Sequence, residues 1–140
     1  MTSAGEISGT GPRYYSEPRT HRRHSLDFYI EPAWTVDLLL AQEAFVGPVW
    51  DPACGSGTIV EACRRRGLET YGSDVAERGF GTSGIDFLTA SAAPDAFALG
   101  EPITSIVCNP PYGAAEAFAL QALRMAREKV ALLVQSKFPY

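Results

Sequence analysis

The chain has 140 residues, 46% of them hydrophobic and 20% charged, an ordinary mixture for a globular protein, with a formal net charge of −4. That length suits one domain able to bury roughly two thirds of its unfolded surface. The acidic balance excludes a nucleic-acid binder that works by overall charge, so any basic surface must be local. No apolar stretch reaches membrane-spanning length, and Met1-Thr2-Ser3-Ala4-Gly5-Glu6 lacks the basic-then-apolar pattern of a signal peptide. Cys54, Cys63 and Cys108 are an odd number at unrelated spacings, and His21 and His24 stand far from all three in sequence. This favours free thiols in a reducing, cytoplasmic compartment over disulfides, and no metal is expected.

Residues 1–25 read as a disordered tail, punctuated by Gly5, Gly9, Gly11, Pro12 and Pro18. Arg13, Arg19, Arg22, Arg23, His21 and His24 make it locally basic, with Tyr14 and Tyr15 among them. Arginine beside aromatics suits contact with a nucleic-acid backbone, and equally a solvated tail. The ordered domain is expected over residues 26–140. Tyr29-Ile30-Glu31-Pro32 leads into a helix whose apolar set is Trp34, Leu38, Ala41 and Phe45, ended by Gly47-Pro48.

A short strand then runs through Val49-Trp50-Asp51 into the turn Pro52-Ala53-Cys54-Gly55-Ser56-Gly57, followed by a helix over residues 58–66. Small residues let a ligand approach the backbone, and a helix N-terminus points free N–H groups at it. Asp51 can accept from a cationic amino group. Arg64-Arg65-Arg66 falls at the helix C-terminus, where cations oppose the macrodipole; DNA contact is the other reading. A second strand over residues 69–73 ends in Asp74, placed either to accept from a ribose diol or to cap the next turn. Residues 76–84 are too rich in glycine for a good helix, so the second crossover should be irregular. In Ile85-Asp86-Phe87-Leu88, Asp86 could receive an exocyclic amino group while Phe87 covers a ring face. Residues 91–102 read as a loop.

The apolar run Ile103-Thr104-Ser105-Ile106-Val107-Cys108 reads as a buried strand, stopped by Asn109-Pro110-Pro111-Tyr112. Two prolines remove two backbone donors and fix φ, giving a stiff loop at the strand's carboxyl end. The Asn109 amide oxygen and the Pro110 carbonyl can both accept from one amino group, and Tyr112 offers a stacking face. In plainer terms the same residues make a Pro-rich turn with a capping Asn. A helix over 114–129, carrying Phe118, Leu120, Leu123 and Met125 with the Phe and Met in the core, and a fifth apolar strand over 129–135 complete the chain. Strands alternating with helices predict an α/β fold with a doubly wound, mostly parallel Rossmann-like sheet of about five strands.

The combined motifs resemble the S-adenosylmethionine-dependent amino-methyltransferases. Over residues 26–138 the chain carries the family's D-P-x-x-G-x-G turn at Asp51 to Gly57 and its N-P-P-Y loop at 109–112. The closest likeness is to small phage-type DNA N6-adenine methyltransferases; enzymes that methylate RNA or a protein glutamine share similar motifs. The resemblance implies S-adenosylmethionine as cofactor, DNA as partner, and catalytic roles for Asn109, Pro110, Pro111 and Tyr112. It implies cofactor contacts from Tyr29, Pro32, Asp51, Pro52, Ala53, Cys54, Gly55, Gly57, Asp74, Asp86, Phe87 and Asn109. Family members usually carry Thr before the proline of the segment at 29–32; Glu31 departs from that pattern. The family sheet also has two further strands in an antiparallel hairpin beside the fifth. The sequence given stops before them, so an exposed fifth strand and self-association through it are expected. A non-catalytic remnant that only binds the cofactor is the alternative from a different class.

Overall fold

A computed structural model describes residues 30–91 and 102–134. The expected tail, residues 26–29, most of the loop over 91–102 and Gln135, the last residue of the expected fifth strand, lie outside the described residues. No helix among the described residues is long and apolar enough to cross a membrane.

Five strands form one sheet: β1 (Val49–Asp51), β2 (Thr70–Asp74), β3 (Thr82–Ser83), β4 (Ser105–Cys108) and β5 (Lys129–Leu132). Their order is β3-β2-β1-β4-β5, and every pairing is parallel. Trp50 stands opposite Tyr71 on one side and Ile106 on the other, so β1 is central. A parallel central strand is covered on both faces, which explains why β1 and β4 are buried at every residue. This is the doubly wound α/β arrangement expected from the sequence.

Alternate strand residues feed two cores, because successive side chains point to opposite faces. Trp50, Ile106 and Cys108 pack with Phe87, Phe118 and Ala122 on one face. Val49 and Val107 pack with Val36, Leu40, Ile59 and Cys63 on the other. Helices α1 (Ala33–Gln42) and α2 (Thr58–Arg65) cover the second face, and α3 (Ala115–Met125) covers the first. Trp50, Phe87 and Phe118 are fully buried; their rings meet edge-on at 5.3 Å and tilted at 5.0 Å. Each such ring contributes about 2–3 kcal/mol through burial. The buried indole N–H of Trp50 donates to Ser73 Oγ at 3.0 Å, so the ring carries no unsatisfied donor.

The structure corrects the inward face of α1. Three of the four apolar residues named from the sequence point outward: Trp34 is 66% and Leu38 54% exposed, and Ala41 is exposed too, whereas Phe45, beyond the helix end, packs half-buried against the core. Val36 and Leu40 are the buried residues. Ala33–Gln42 is apolar nearly all round, so two stripes compete at helical spacing, and packing against Val49, Ile59 and Val107 selects the Val36–Leu40 stripe. The helix also stops at Gln42, where Glu43 turns extended, before Gly47-Pro48. On α3 the expected core residues Phe118 and Met125 face inward, whereas Leu120 and Leu123 are exposed.

The exposed arginines 64–66 make local contacts. Arg64 donates twice to Thr70 O (3.2 and 2.9 Å), Arg66 donates to Leu40 O at 3.2 Å, and Arg65 lies 3.6 Å from Asp37. These contacts tie the end of α2 to the start of β2 and to α1, at the amino end of the sheet.

Candidate functional site

Strand order reverses between β1 and β4, and open parallel sheets place ligands in the crevice at the carboxyl ends of such a pair. Two sequence motifs emerge there side by side. The turn after Asp51 leaves β1, and Asn109-Pro110-Pro111-Tyr112 leaves β4.

Backbone bonds and one carboxylate hold the glycine-rich turn. Cys54 N donates to Ser73 O at 2.8 Å, Gly57 N to Cys54 O at 2.8 Å, and Gly55 N to Asp74 Oδ2 at 3.0 Å. Gly57, the N-cap of α2, has φ 98°, which only glycine adopts without strain. The Phe80 ring lies against it: a Cβ there would come within 2.6 Å of the ring. Pro52 is buried and Ala53 half-buried behind the turn.

Asp74 performs the capping role that the sequence left open, since its Oδ1 accepts from Ala76 N at 3.0 Å while Oδ2 holds the turn. Arg78 Nε stands 4.0 Å from Oδ1. Each carboxylate oxygen still has a second lone pair for a ligand.

Asp51 is 1% exposed; Oδ1 accepts from Ala53 N at 3.1 Å, and Oδ2 has no hydrogen-bond partner among the described residues. Burial pushes its pKa well above the usual 3.8, the Ala53 N–H opposes that, and the negative charges of Glu31 and Asp74 push it further up. A buried carboxylate oxygen without a partner costs about 1–3 kcal/mol, and a cationic ligand group would offset that cost.

From the sequence Glu31 stood only within the N-cap range of the first helix and as a departure from the family's pattern, yet it is only 7% exposed, and Asn109 Nδ2 donates to its Oε1 at 3.0 Å. The available signal was a charged residue between Ile30 and Pro32, at the entry to an apolar helix. Pro32 itself is exposed and is the N-cap of α1. Tyr112 opens a single 3-10 turn (Tyr112–Ala114) and is 42% exposed, with Pro110 buried and Pro111 half-buried beneath it.

The Phe87 expectation is corrected. Phe87 is fully buried between Trp50 and Phe118, so its ring presents no face to a ligand. Gln121 fixes this by donating to Phe87 O at 2.9 Å and Ala90 O at 2.8 Å. Asp86 caps the short 3-10 helix Phe87–Thr89, accepting from Leu88 N at 3.0 Å, and remains half-exposed. The aromatic ring at the glycine-rich turn is Phe80, which the sequence reading did not single out.

The thiols are not nucleophiles. Burial pushes Cys54 up to about 12 and Cys63 up to about 11, and holds Cys108 well above its usual value, with the Asp51 charge adding to each. Thiolate, not thiol, is the reactive form. The native chain at neutral pH is therefore expected to react negligibly with an aromatic disulfide reagent, and to titrate three thiols on unfolding. Fast labelling of one cysteine in the folded chain would contradict this.

No protein-family model matches the sequence, and comparison with curated proteins finds no match. Among solved structures, the chain is similar to magnesium protoporphyrin IX methyltransferase from Synechocystis PCC 6803, crystallised with bound SAM. Identity is 17% and the TM-score 0.49, over 86% of this chain and 66% of that one, so the chain spans just under two thirds of that protein's length. A likeness of that strength decides neither cofactor nor substrate; the site's own residues carry the reading.

Proposed function

We propose that the chain is an S-adenosylmethionine-dependent methyltransferase acting on an exocyclic amino group, with adenine N6 in DNA as the acceptor. One observation carries this reading. At the point where strand order reverses, a glycine-rich turn with an unpartnered buried Asp51 oxygen adjoins a stiff loop bearing an amide, a carbonyl and an aromatic face. The first half suits a cationic amino-acid group on a nucleoside, and the second suits a planar amine.

The residues fit the cofactor by the chemistry of their donors and acceptors. Asp51 Oδ2 would take the ammonium, the amino-acid chain would lie along the turn that Phe80 covers at Gly57, and Asp74 would accept from the ribose diol. When bound, S-adenosylmethionine supplies a methyl group on a sulfonium. The protein's part is positioning and electrostatics. Asn109 Oδ1 and the Pro110 carbonyl accept from the target amino group, favour a pyramidal nitrogen and aim its lone pair. The half-exposed Tyr112 ring stacks on the base. In a duplex the base must first leave the stack.

The test is incubation with labelled S-adenosylmethionine and mixed DNA, RNA and protein acceptors. Label in a DNase-sensitive fraction, recovered as N6-methyladenine, is the expected result. Label in RNA or in protein glutamine would replace the acceptor but keep the chemistry. Cofactor binding with no label anywhere would reduce the chain to a cofactor-binding module.

A second copy of the chain is a further proposed partner. β5 is a sheet edge whose four residues are all only half-buried, and Leu133 and Val134 beyond it are exposed. Exposed apolar edges pair with other chains. Light scattering of the isolated chain is expected to show concentration-dependent association that a charge at the exposed Leu133 (Leu133→Lys) reduces. A clean monomer at high concentration would refute it.

A further inference from the structure

We propose that Glu31 is a positioning residue for Asn109: its carboxylate dictates which end of the Asn109 amide faces the acceptor amine. The inference rests on the methyltransferase reading above and extends it to a residue 78 positions away in sequence. An asparagine amide has a donor end and an acceptor end that differ little in shape, so a loop alone does not decide which points at the substrate. An ionised carboxylate is an acceptor only, so the end of Asn109 that meets it must be Nδ2. The observed bond, Nδ2 to Glu31 Oε1 at 3.0 Å, has that sense. With the donor end committed, Oδ1 is the end turned the other way, and only Oδ1 can accept from an amine. A reversed amide would present N–H to N–H and repel the substrate.

The carboxylate is itself held in place. Glu31 directly precedes Pro32, the N-cap of α1, where Thr35 N (3.1 Å) and Thr35 Oγ1 (2.7 Å) both donate to Pro32 O. α1 is docked on the sheet through Val36 and Leu40, which pack with Val49 and Val107 of the two strands that flank the cleft. Glu31 is thus delivered to the cleft by a packed helix and is nearly buried there. Its hydrogen bond crosses to the β4 loop rather than capping its own helix, which takes no side-chain cap. A hydrogen bond to a charged acceptor is roughly twice as strong as a neutral one, which suits a contact that must fix an orientation.

The test compares the full parent chain with Glu31→Gln, Glu31→Ala, Asn109→Ala and the Glu31→Ala/Asn109→Ala double variant. Four quantities are read: thermal melting, S-adenosylmethionine affinity by calorimetry, kcat and KM for methyl transfer, and the Asn109 side-chain NH2 resonances in a ¹⁵N spectrum. The Gln variant keeps the shape but can present either a donor or an acceptor, so it no longer dictates the amide. We expect kcat to fall about tenfold in Glu31→Gln and about 100-fold in Glu31→Ala, the scale of a lost positioning contact. Cofactor affinity should stay within about threefold, the Asn109 NH2 resonances should move in both, and Glu31→Ala should cost nothing further once Asn109 is Ala. Parent-like kcat in Glu31→Gln and Glu31→Ala, or a Glu31→Ala loss that adds fully to that of Asn109→Ala, overturns the proposal. If the parent methylates nothing, the methyltransferase reading falls, and the resonances decide the positioning separately: movement in Glu31→Gln supports it and no movement refutes it.

Discussion

Asn109→Ala is expected to lower methyl transfer by about 10²–10³-fold while leaving S-adenosylmethionine affinity close to that of the parent. Its amide oxygen is the side-chain acceptor at the carboxyl end of β4, and its loss leaves the target amine with the Pro110 carbonyl alone. Removing one positioned hydrogen-bonding group from an active site typically costs about 3–4 kcal/mol in the transition state. The variant also leaves Glu31 buried without its Asn109 partner, so a modest fall in melting temperature should accompany the loss. Tyr112→Ala should cost about 1–3 kcal/mol through lost stacking, whereas Tyr112→Phe keeps the ring face and should be tolerated. The decisive measurement takes cofactor affinity and methyl transfer on one preparation. Transfer at the parent rate by Asn109→Ala would remove the tetrapeptide from the chemistry. Loss of both quantities together would assign it to cofactor binding instead.

Asp51→Asn is expected to separate stability from binding. Asn keeps an oxygen for the Ala53 N–H but removes a buried charge that has an unpartnered oxygen and two negative neighbours in Glu31 and Asp74. The chain should become more stable by about 1–2 kcal/mol at neutral pH. Cofactor affinity should fall about 10–100-fold, the scale of a charge-assisted hydrogen bond of about 1.5–3 kcal/mol. The sign of the pH effect follows from the raised pKa. Between the ordinary value of 3.8 and the higher native value, the folded chain binds more protons than the unfolded chain. Stability attributable to Asp51 is therefore full at low pH and is lost as pH rises through that window. The difference in melting temperature between parent and variant should widen with rising pH above about 4 and level off beyond the native pKa. An ammonium group beside Oδ2 favours the ionised form, so cofactor binding within the window should release a proton, read by calorimetry in buffers of different protonation enthalpy. A variant that binds the cofactor as tightly as the parent would refute the Asp51 assignment, and a parent-minus-variant stability that is flat with pH would refute the buried-charge account.

The two motifs were legible because each is contiguous. Val49–Asp51 and Ser105–Cys108 are buried at every residue in the structure, as β-rich segments just before proline-stiffened turns should be. The end of β2 at Asp74 and the irregular crossover after it were legible for the same local reason. The short pairing of Thr82–Ser83 beside β2 was not, because two polar residues carry no strand signal until a neighbour supplies the hydrogen bonds. The inward face of α1 was misread because Ala33–Gln42 offers two apolar stripes, and only the sheet beneath chooses between them.

By itself the sequence determined the alternation of strands and helices, the parallel sheet that follows from it, and the two loops at the strands' carboxyl ends. Those features depend on backbone chemistry and on side-chain period within a few residues of one another. The tertiary structure alone decided which side chains meet. It put Phe87 in the core, laid Phe80 on Gly57, and made Asp74 hold the glycine-rich turn through Oδ2 while Oδ1 caps the loop after β2. It also left an Asp51 oxygen without a hydrogen-bond partner among the described residues and brought Glu31 across 78 residues to Asn109. Such pairings depend on packing between elements distant in the chain, and no local pattern encodes them.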